Sequence, residues 1–292
     1  MKDLLEKMKN GDIKSLAKLI SYLENNPEDR FVDELPSKGA KVIGFTGSPG
    51  AGKSSLVNAV ISELRKEGFK VGVITIDPTS PFTGGAFLGD RIRMKSHFLD
   101  DSVFIRSMGS GSSLGGLNES IFDVIKLMDA FGFDYILIET VGAGQSEVDI
   151  VYVSDIVVLV LSPGTGDDIQ FLKSGIMEIG DIYVINKSDL EGADYYKSRL
   201  ESILSLSDFR KPIIKTVATT GNGVKELVFE IKQLLDKFQK NGEIKKRLER
   251  RIKKHAESIL VRKIQKSMEE INETDNLSKL INMVIDNICK NK

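Results

Sequence analysis

Gly47-Ser48-Pro49-Gly50-Ala51-Gly52-Lys53-Ser54 is the stretch on which the reading of this 292-residue chain turns. It fits G-x-x-x-x-G-K-[ST], and its flanks suit the pattern. Before it, Val42-Ile43-Gly44-Phe45-Thr46 is short, apolar and β-prone. After it, Leu56, Val57, Val60, Ile61 and Leu64 recur at helical spacing up to Gly68, a C-terminal stop. Strand, glycine loop and helix in that order make a phosphate site. The glycines let backbone N–H groups converge on an anion at a helix N-terminus, where the dipole also favours negative charge. The pattern assigns Lys53 to the β- and γ-phosphates of a nucleotide and the Ser54 hydroxyl to Mg²⁺, with Ser55 beside them.

Outward from this loop, strand and helix patterns alternate from Val42 to about Phe238. Strands are expected at 42–46, 71–76, 103–106, 135–139, 156–161, 182–185 and 213–216, and helices at about 53–67, 119–131, 168–178, 193–204 and 224–238. Several strands are continuous apolar runs, such as Ile156-Val157-Val158-Leu159-Val160-Leu161, as parallel strands covered on both faces require. The fold class is therefore α/β: a P-loop NTPase G domain over residues 37–239, doubly wound on a mainly parallel sheet, with its ligand at the strand carboxyl ends.

Helical extensions flank that domain. In residues 1–36, Leu4, Leu5 and Met8 precede Gly11, and Asp12 caps a second stripe of Ile13, Leu16, Ala17, Leu19, Ile20 and Leu23 that is expected to pack on the main domain. In residues 240–292, Ile244, Leu248, Ile252, Ile259, Ile264, Met268 and Ile271 form one stripe, and Leu277, Leu280, Ile281, Val284, Ile285 and Ile288 another. Between Lys237 and Lys266 there are twelve Lys/Arg against three Glu. Without interleaved aromatics this stretch reads as the solvated face of a packing arm; the alternative is a surface for RNA or an acidic partner.

A second motif points to the base. Asn186-Lys187-Ser188-Asp189 follows directly on the strand at 182–185, in the N-K-x-D pattern of GTPases. A carboxylate at Asp189 accepts both N1–H and N2–H of guanine, whereas adenine lacks that donor pair and would leave it unmatched. Asn186 would brace the surrounding loops and the stem of Lys187 would cover the base. After strand 213–216, Val217-Ala218 takes the place of the usual Ser-Ala, and the Ala218 N–H is expected to meet the guanine O6.

The γ-phosphate side carries acids. Glu139 ends Tyr135-Ile136-Leu137-Ile138-Glu139 in the Walker B position, where most GTPases have Asp. The Gly142 N–H is placed for the γ-phosphate, and Gln145 lies three residues beyond that glycine. Asp77 ends strand 71–76 and Asp90 lies in the loop from Gly84 to Arg93. Either completes the shell of Mg²⁺, or Asp77 is an Asx turn before Pro78 and Asp90 an ordinary loop acid.

Bulk properties narrow the class. Lys+Arg number 41 and Asp+Glu 42, so no global charge argues for nucleic acid or a membrane surface. Cys289 is the one cysteine, which excludes an internal disulfide framework and suits a reducing cytoplasm; with only His97 and His255 there is no Cys/His metal cluster. The N-terminus mixes Lys and Glu without an apolar run, so neither signal peptide nor membrane anchor is expected.

Longer runs give a specific resemblance. Asp77-Pro78-Thr79-Ser80-Pro81-Phe82-Thr83-Gly84-Gly85, Leu88-Gly89-Asp90-Arg91, Leu114-Gly115-Gly116, Glu139-Thr140-Val141-Gly142-Ala143-Gly144-Gln145-Ser146-Glu147 and Pro163-Gly164-Thr165-Gly166-Asp167-Asp168 resemble the signature of the MeaB/ArgK family, from about Gly11 to about Gly223. These are P-loop GTPases that act as chaperones of adenosylcobalamin-dependent methylmalonyl-CoA mutase. The resemblance implies a GTP·Mg²⁺ site built from the nucleotide loop, the base loop, Asp77, Asp90 and Glu139. It implies an extra switch in which Asp167, Gln170 and Lys173 communicate with the mutase, and a homodimer formed through residues 240–292. Asp168 stands where the family usually has Glu. Two other functions stay open: a kinase acting on a transport-associated binding protein, an activity attached to this family, and a metal-insertion GTPase related through the Glu-type Walker B.

Overall fold

Seven strands form one parallel sheet in the computed structural model, which describes all residues except 78–93, 95–96, 98, 111–116, 141–145, 165–175, 206–210, 272–275 and 291–292. They are β1 (Lys41–Gly47), β2 (Val71–Asp77), β3 (Val103–Gly109), β4 (Tyr135–Glu139), β5 (Ile156–Leu161), β6 (Ile182–Ile185) and β7 (Ile213–Lys215). Their order across the sheet is β3-β2-β4-β1-β5-β6-β7. Each expected strand is present within a few residues of its expected bounds, and the doubly wound α/β class holds.

The order puts β1 between β4 and β5, with Phe45 opposite Glu139 and Gly47 opposite Val160. The loop leaving β1 therefore emerges beside the acid that ends β4. Successive strand residues face opposite sides, so Ile43 and Phe45 enter one core and Val42 the other. On the first side, α3 (Lys53–Lys66) and α8 (Val224–Lys240) cover the sheet. Gly68, with φ near +87°, follows the end of α3 as its spacing predicts. The other side is covered by α1 (Lys2–Lys9), α2 (Ile13–Asn25) and α4 (Ile121–Phe131).

Asp12 caps α2, accepting from the Lys14 and Ser15 amides at 3.4 and 3.0 Å. Leu16, Leu19, Ile20 and Leu23 are fully buried, each contributing roughly 1.5–3 kcal/mol relative to exposure. Arg106 on β3 reaches back to Glu24 and, at 3.0 Å, to Ser21 Oγ. The expected packing of the N-terminal helices on the main domain is what the structure has.

Among the described residues α5 (Ser146–Asp149), α6 (Ile176–Ile179) and α7 (Ala193–Leu204) also belong to the main domain, and α9 (Glu243–Glu269) leaves it. The helix expected at 168–178 lies outside the described residues apart from its end, where α6 begins. A last helix, α10 (Leu277–Lys290), packs on α9.

The arm matches the sequence reading in part: Lys245, Lys246, Arg250, Lys253, Lys263 and Lys266 are exposed, as the solvated face of a packing arm requires, whereas Arg247, Arg251 and Arg262 dock on the main domain. Arg247 forks onto Asp181 at 2.7 and 2.8 Å and donates to the Asp155 carbonyl at 3.0 Å. Arg251 meets Asp155 at 2.7 Å, and Arg262 meets Glu119 at 2.8 Å. Asp155 and Asp181 also accept from the Val42 and Val157 amides, both at 2.8 Å, so the arm is bolted to the amino ends of β1 and β5. Burial pulls the Arg247 pKa down, but Asp181 and Glu243 outweigh it and hold it above the ordinary arginine value. Meanwhile Leu248, Ile252, Leu260, Ile264 and Met268 on α9, and Leu277, Ile281 and Ile285 on α10, are 40–73% exposed. Among the described residues no helix is long and apolar enough to cross a membrane.

Candidate functional site

The loop from Gly47 to Gly52 bends because its glycines permit it. Gly47 has φ near +144°, and a Cβ there would lie 2.0 Å from the Val160 carbonyl oxygen. Gly52, at φ +87°, would place a Cβ 2.4 Å from Asn186 Nδ2. Only glycine lets both strands of contact close in. Helix α3 then starts at Lys53 with no side-chain cap, so its first-turn amides are presented to whatever anion sits in the loop. Ser48, Ala51, Lys53 and Ser54 are buried, whereas Pro49, Gly50 and Ser55 lie at the surface. Lys53 Nζ arches over the loop and donates to the Gly47 and Ser48 carbonyls at 2.7 and 3.2 Å.

Two acids stand beside it. Ser54 Oγ donates to Glu139 Oε1 at 2.6 Å, which brings the end of β4 directly onto the loop. Asp77 ends β2 two residues beyond Thr75, and Thr75 is in register with Glu139. Both acids are at most 5% exposed. A hydroxyl and two carboxylates at adjacent strand ends are hard oxygen donors, the kind that suits Mg²⁺, which takes one or two carboxylates and draws its other ligands from phosphate and water. The residues present fit that ion. Among the described residues there is no group of three or more His, Cys, Asp or Glu side chains able to hold a metal alone.

The base loop is tied to the phosphate loop by Asn186, which is 1% exposed. Its Nδ2 donates to the Ala51 carbonyl at 2.9 Å and to that of Gly52 at 3.4 Å. Its Oδ1 accepts from Thr216 Oγ1 at 3.0 Å and from the Ala218 amide at 3.1 Å. The bracing expected of Asn186 is thus present. The Ala218 N–H, the group expected to meet guanine O6, donates to Asn186 Oδ1, which β7 brings within reach by placing Val217-Ala218 beside the base loop. Lys187 is the one described non-glycine residue with positive φ, near +55°, a strained conformation of the kind that clusters at ligand sites. Its Cε lies 3.8 Å from where a Gly52 Cβ would be, so the aliphatic stem covers the loop. Asp189 is exposed at the rim.

The structure therefore gathers Gly47–Ser55, Asp77, Glu139, Asn186, Lys187, Asp189, Val217 and Ala218 along one edge of the sheet. Asp90, Gly142, Gln145, Asp167, Gln170 and Lys173 lie outside the described residues. Two residues were missed by the sequence reading. Thr216 holds Asn186 in place, and only its position beside Val217 hints at this. Glu147, 4% exposed, accepts from Thr46 Oγ1, the Gly47 amide and Thr140 Oγ1 at 2.5, 3.1 and 2.9 Å. It closes the Glu139-to-Glu147 run that carries the family resemblance, but nothing in that run's spacing gives it this role.

Comparison with known proteins agrees with this geometry. The family model described as "Methylmalonyl Co-A mutase-associated GTPase MeaB" matches residues 16–273. A Pyrococcus horikoshii protein named as a GTPase is 47% identical over 299 residues, covering 97% of this chain and 94% of that one. The mitochondrial methylmalonic aciduria type A homolog of Caenorhabditis elegans is 35% identical, over 73% of this chain and 55% of its own length. GTPase ArgK of Escherichia coli is 37% identical, over 63% and 58%. Among solved structures, one titled as an LAO/AO transport system kinase superposes with a TM-score of 0.69 at 22% identity, covering 99% of this chain and 97% of that one, which speaks for the fold.

Proposed function

The chain belongs to the methylmalonyl-CoA mutase-associated GTPase (MeaB) family, and from that membership we propose that it is a GTP-hydrolysing chaperone gating the loading or protection of adenosylcobalamin in methylmalonyl-CoA mutase or a related acyl-CoA mutase. It is a GTPase that binds guanine nucleotide. The observation that carries the site assignment is Asn186, whose four hydrogen bonds join a phosphate loop to an N-K-x-D loop.

In this reading the loop amides from Gly47 to Ser55 cradle the phosphates and Lys53 neutralises charge developing on the γ-phosphate. Asp189 reads N1–H and N2–H of guanine from the rim while Lys187 covers the ring. With the Ala218 amide turned to Asn186, the O6 contact requires that amide to be shared. Ser54 and Glu139 would hold Mg²⁺, assisted by Asp77 and Asp90, and the bound ion would supply charge stabilisation to the phosphates. Gly142 and Gln145 serve the γ-phosphate and the attacking water. Water attacks the γ-phosphorus, the bond to the β–γ bridging oxygen breaks, and GDP and inorganic phosphate leave.

The partner assignment has separate support. Asp167, Gln170 and Lys173 match the family's switch, and they are the residues through which a mutase would act. The apolar stripe left exposed on α9 and α10 is what a homodimer would cover. Affinity capture of a purified acyl-CoA mutase by this chain in GTP, in GDP and without nucleotide tests the proposal. Capture that changes with the nucleotide supports it; equal recovery of mutase and of an unrelated dehydrogenase in all three refutes it.

A further inference from the structure

We propose that Glu147 is a positioning residue for GTP hydrolysis, holding the start of the phosphate loop and the end of β4 in one arrangement through a single carboxylate oxygen. The inference rests on the reading of this site as a GTP·Mg²⁺ site.

Glu147 lies in α5, the first described helix after β4. Its Oε2 takes donors from both central strands: Thr46 Oγ1 at 2.5 Å and the Gly47 amide at 3.1 Å from β1, and Thr140 Oγ1 at 2.9 Å from just beyond β4. Thr46 also donates to the Glu147 carbonyl at 3.2 Å, and the Thr140 amide donates to the Phe45 carbonyl at 3.1 Å. Thr46 and Thr140 are at most 1% exposed, so water does not compete for these bonds.

The two places it holds are the two that matter. Gly47 opens the phosphate loop and supplies the carbonyl to which Lys53 Nζ donates. Thr140 directly follows Glu139, the acceptor of Ser54 Oγ. A shift of the carboxylate displaces the lysine's anchor and the acid's neighbour together. Misplacement of a reacting constellation by about 1 Å can cost on the order of 100-fold in rate. A carboxylate is the group that can take several donors at once without offering a proton in return.

Glu147→Gln keeps one oxygen to accept but removes the charge that strengthens the three bonds, and puts an NH₂ group in place of the other oxygen. Glu147→Asp keeps the charge and shortens the reach by one methylene. For full-length protein, GTP hydrolysis is measured against GTP and against Mg²⁺, alongside the melting temperature. Both variants are expected to lose about tenfold or more in kcat, with KM for GTP changed less than about threefold and the Mg²⁺ half-saturation raised. A purely structural role would lower the melting temperature and leave the Mg²⁺ titration where it was. A kcat within twofold of wild type with an unchanged Mg²⁺ titration overturns the proposal. If neither variant folds, Thr140→Val decides, since it removes one donor and leaves the carboxylate: a fall in kcat of about threefold at constant KM is expected, and an unchanged kcat overturns the proposal. Failure of the wild type itself to hydrolyse GTP would instead sink the reading of the site.

Discussion

Asn186→Ala removes the side chain on which the assembly of the site depends, and its cost follows from the geometry. Three of its bonds are well formed, to the Ala51 carbonyl at 2.9 Å, from Thr216 Oγ1 at 3.0 Å and from the Ala218 amide at 3.1 Å; the fourth, at 3.4 Å, is weak. At about 1 kcal/mol net each, the three are worth about 3 kcal/mol. Thr216 is fully buried, so its hydroxyl loses an acceptor where water cannot replace it, which takes the total to about 3–4 kcal/mol. At about 2–4 °C per kcal/mol for a domain of this class, the melting temperature should fall by roughly 6–16 °C. Thermal unfolding by circular dichroism, with and without GDP, is the assay. In the wild type, GDP at a hundred times its Kd adds about 2.7 kcal/mol. The variant should show much less stabilisation at the same concentration, because the base and phosphate loops are no longer joined. Asn186→Asp, which turns an oxygen toward the Ala51 carbonyl, should be no better. A melting temperature within about 1 °C of wild type together with an equal GDP shift would refute the reasoning.

Other consequences can be checked in the same preparations. Asp189→Asn should weaken GTP and favour xanthosine triphosphate, whose 2-oxo group needs a donor; equal GTP affinity in competition binding would remove Asp189 from the base site. Glu139→Ala should reduce Mg²⁺-supported turnover on the order of 100-fold while changing nucleotide affinity far less; wild-type turnover would mean that another acid holds the ion. Arg247→Ala should cost about 3–5 kcal/mol, as expected when one partner of a buried pair is removed, since Arg247 and Asp181 are only 10 and 11% exposed. A denaturant midpoint equal to wild type would show that the arm is held by other contacts.

Much of this molecule is legible in its sequence for identifiable reasons. Parallel strands covered on both faces must be apolar throughout, and runs such as Ile156–Leu161 announce themselves. The phosphate loop is a local motif whose glycines are required by contacts a few ångströms away, and Asn186-Lys187-Ser188-Asp189 sits at the strand end where the topology delivers it. What is not legible depends on distance along the chain. Glu147 meets Thr46 and Gly47 from about a hundred residues away, and nothing in its neighbours' spacing indicates that contact. The arm shows another limit. Helical periodicity identified an apolar stripe on α9 but not which face docks. Arg247 and Arg251 reach the acids at the strand amino ends and Ile244 packs on the core, while Leu248, Ile252, Ile264 and Met268 of the stripe stay largely exposed. The Ala218 amide likewise donates to a side chain from another loop, that of Asn186 after β6. Asp90, Gly142, Gln145, Asp167, Gln170 and Lys173 remain expectations of the sequence, outside the described residues.

Single-turnover hydrolysis of GTP labelled on the γ-phosphate, with ATP in parallel and with or without a purified adenosylcobalamin-dependent acyl-CoA mutase, tests the account most directly. The chain alone should release inorganic phosphate from GTP at about one turnover per minute or less, in the range of unassisted GTPases. It should leave ATP untouched and accelerate when the mutase is added. Label transferred to protein, equal rates on ATP, or a rate indifferent to the mutase would contradict it.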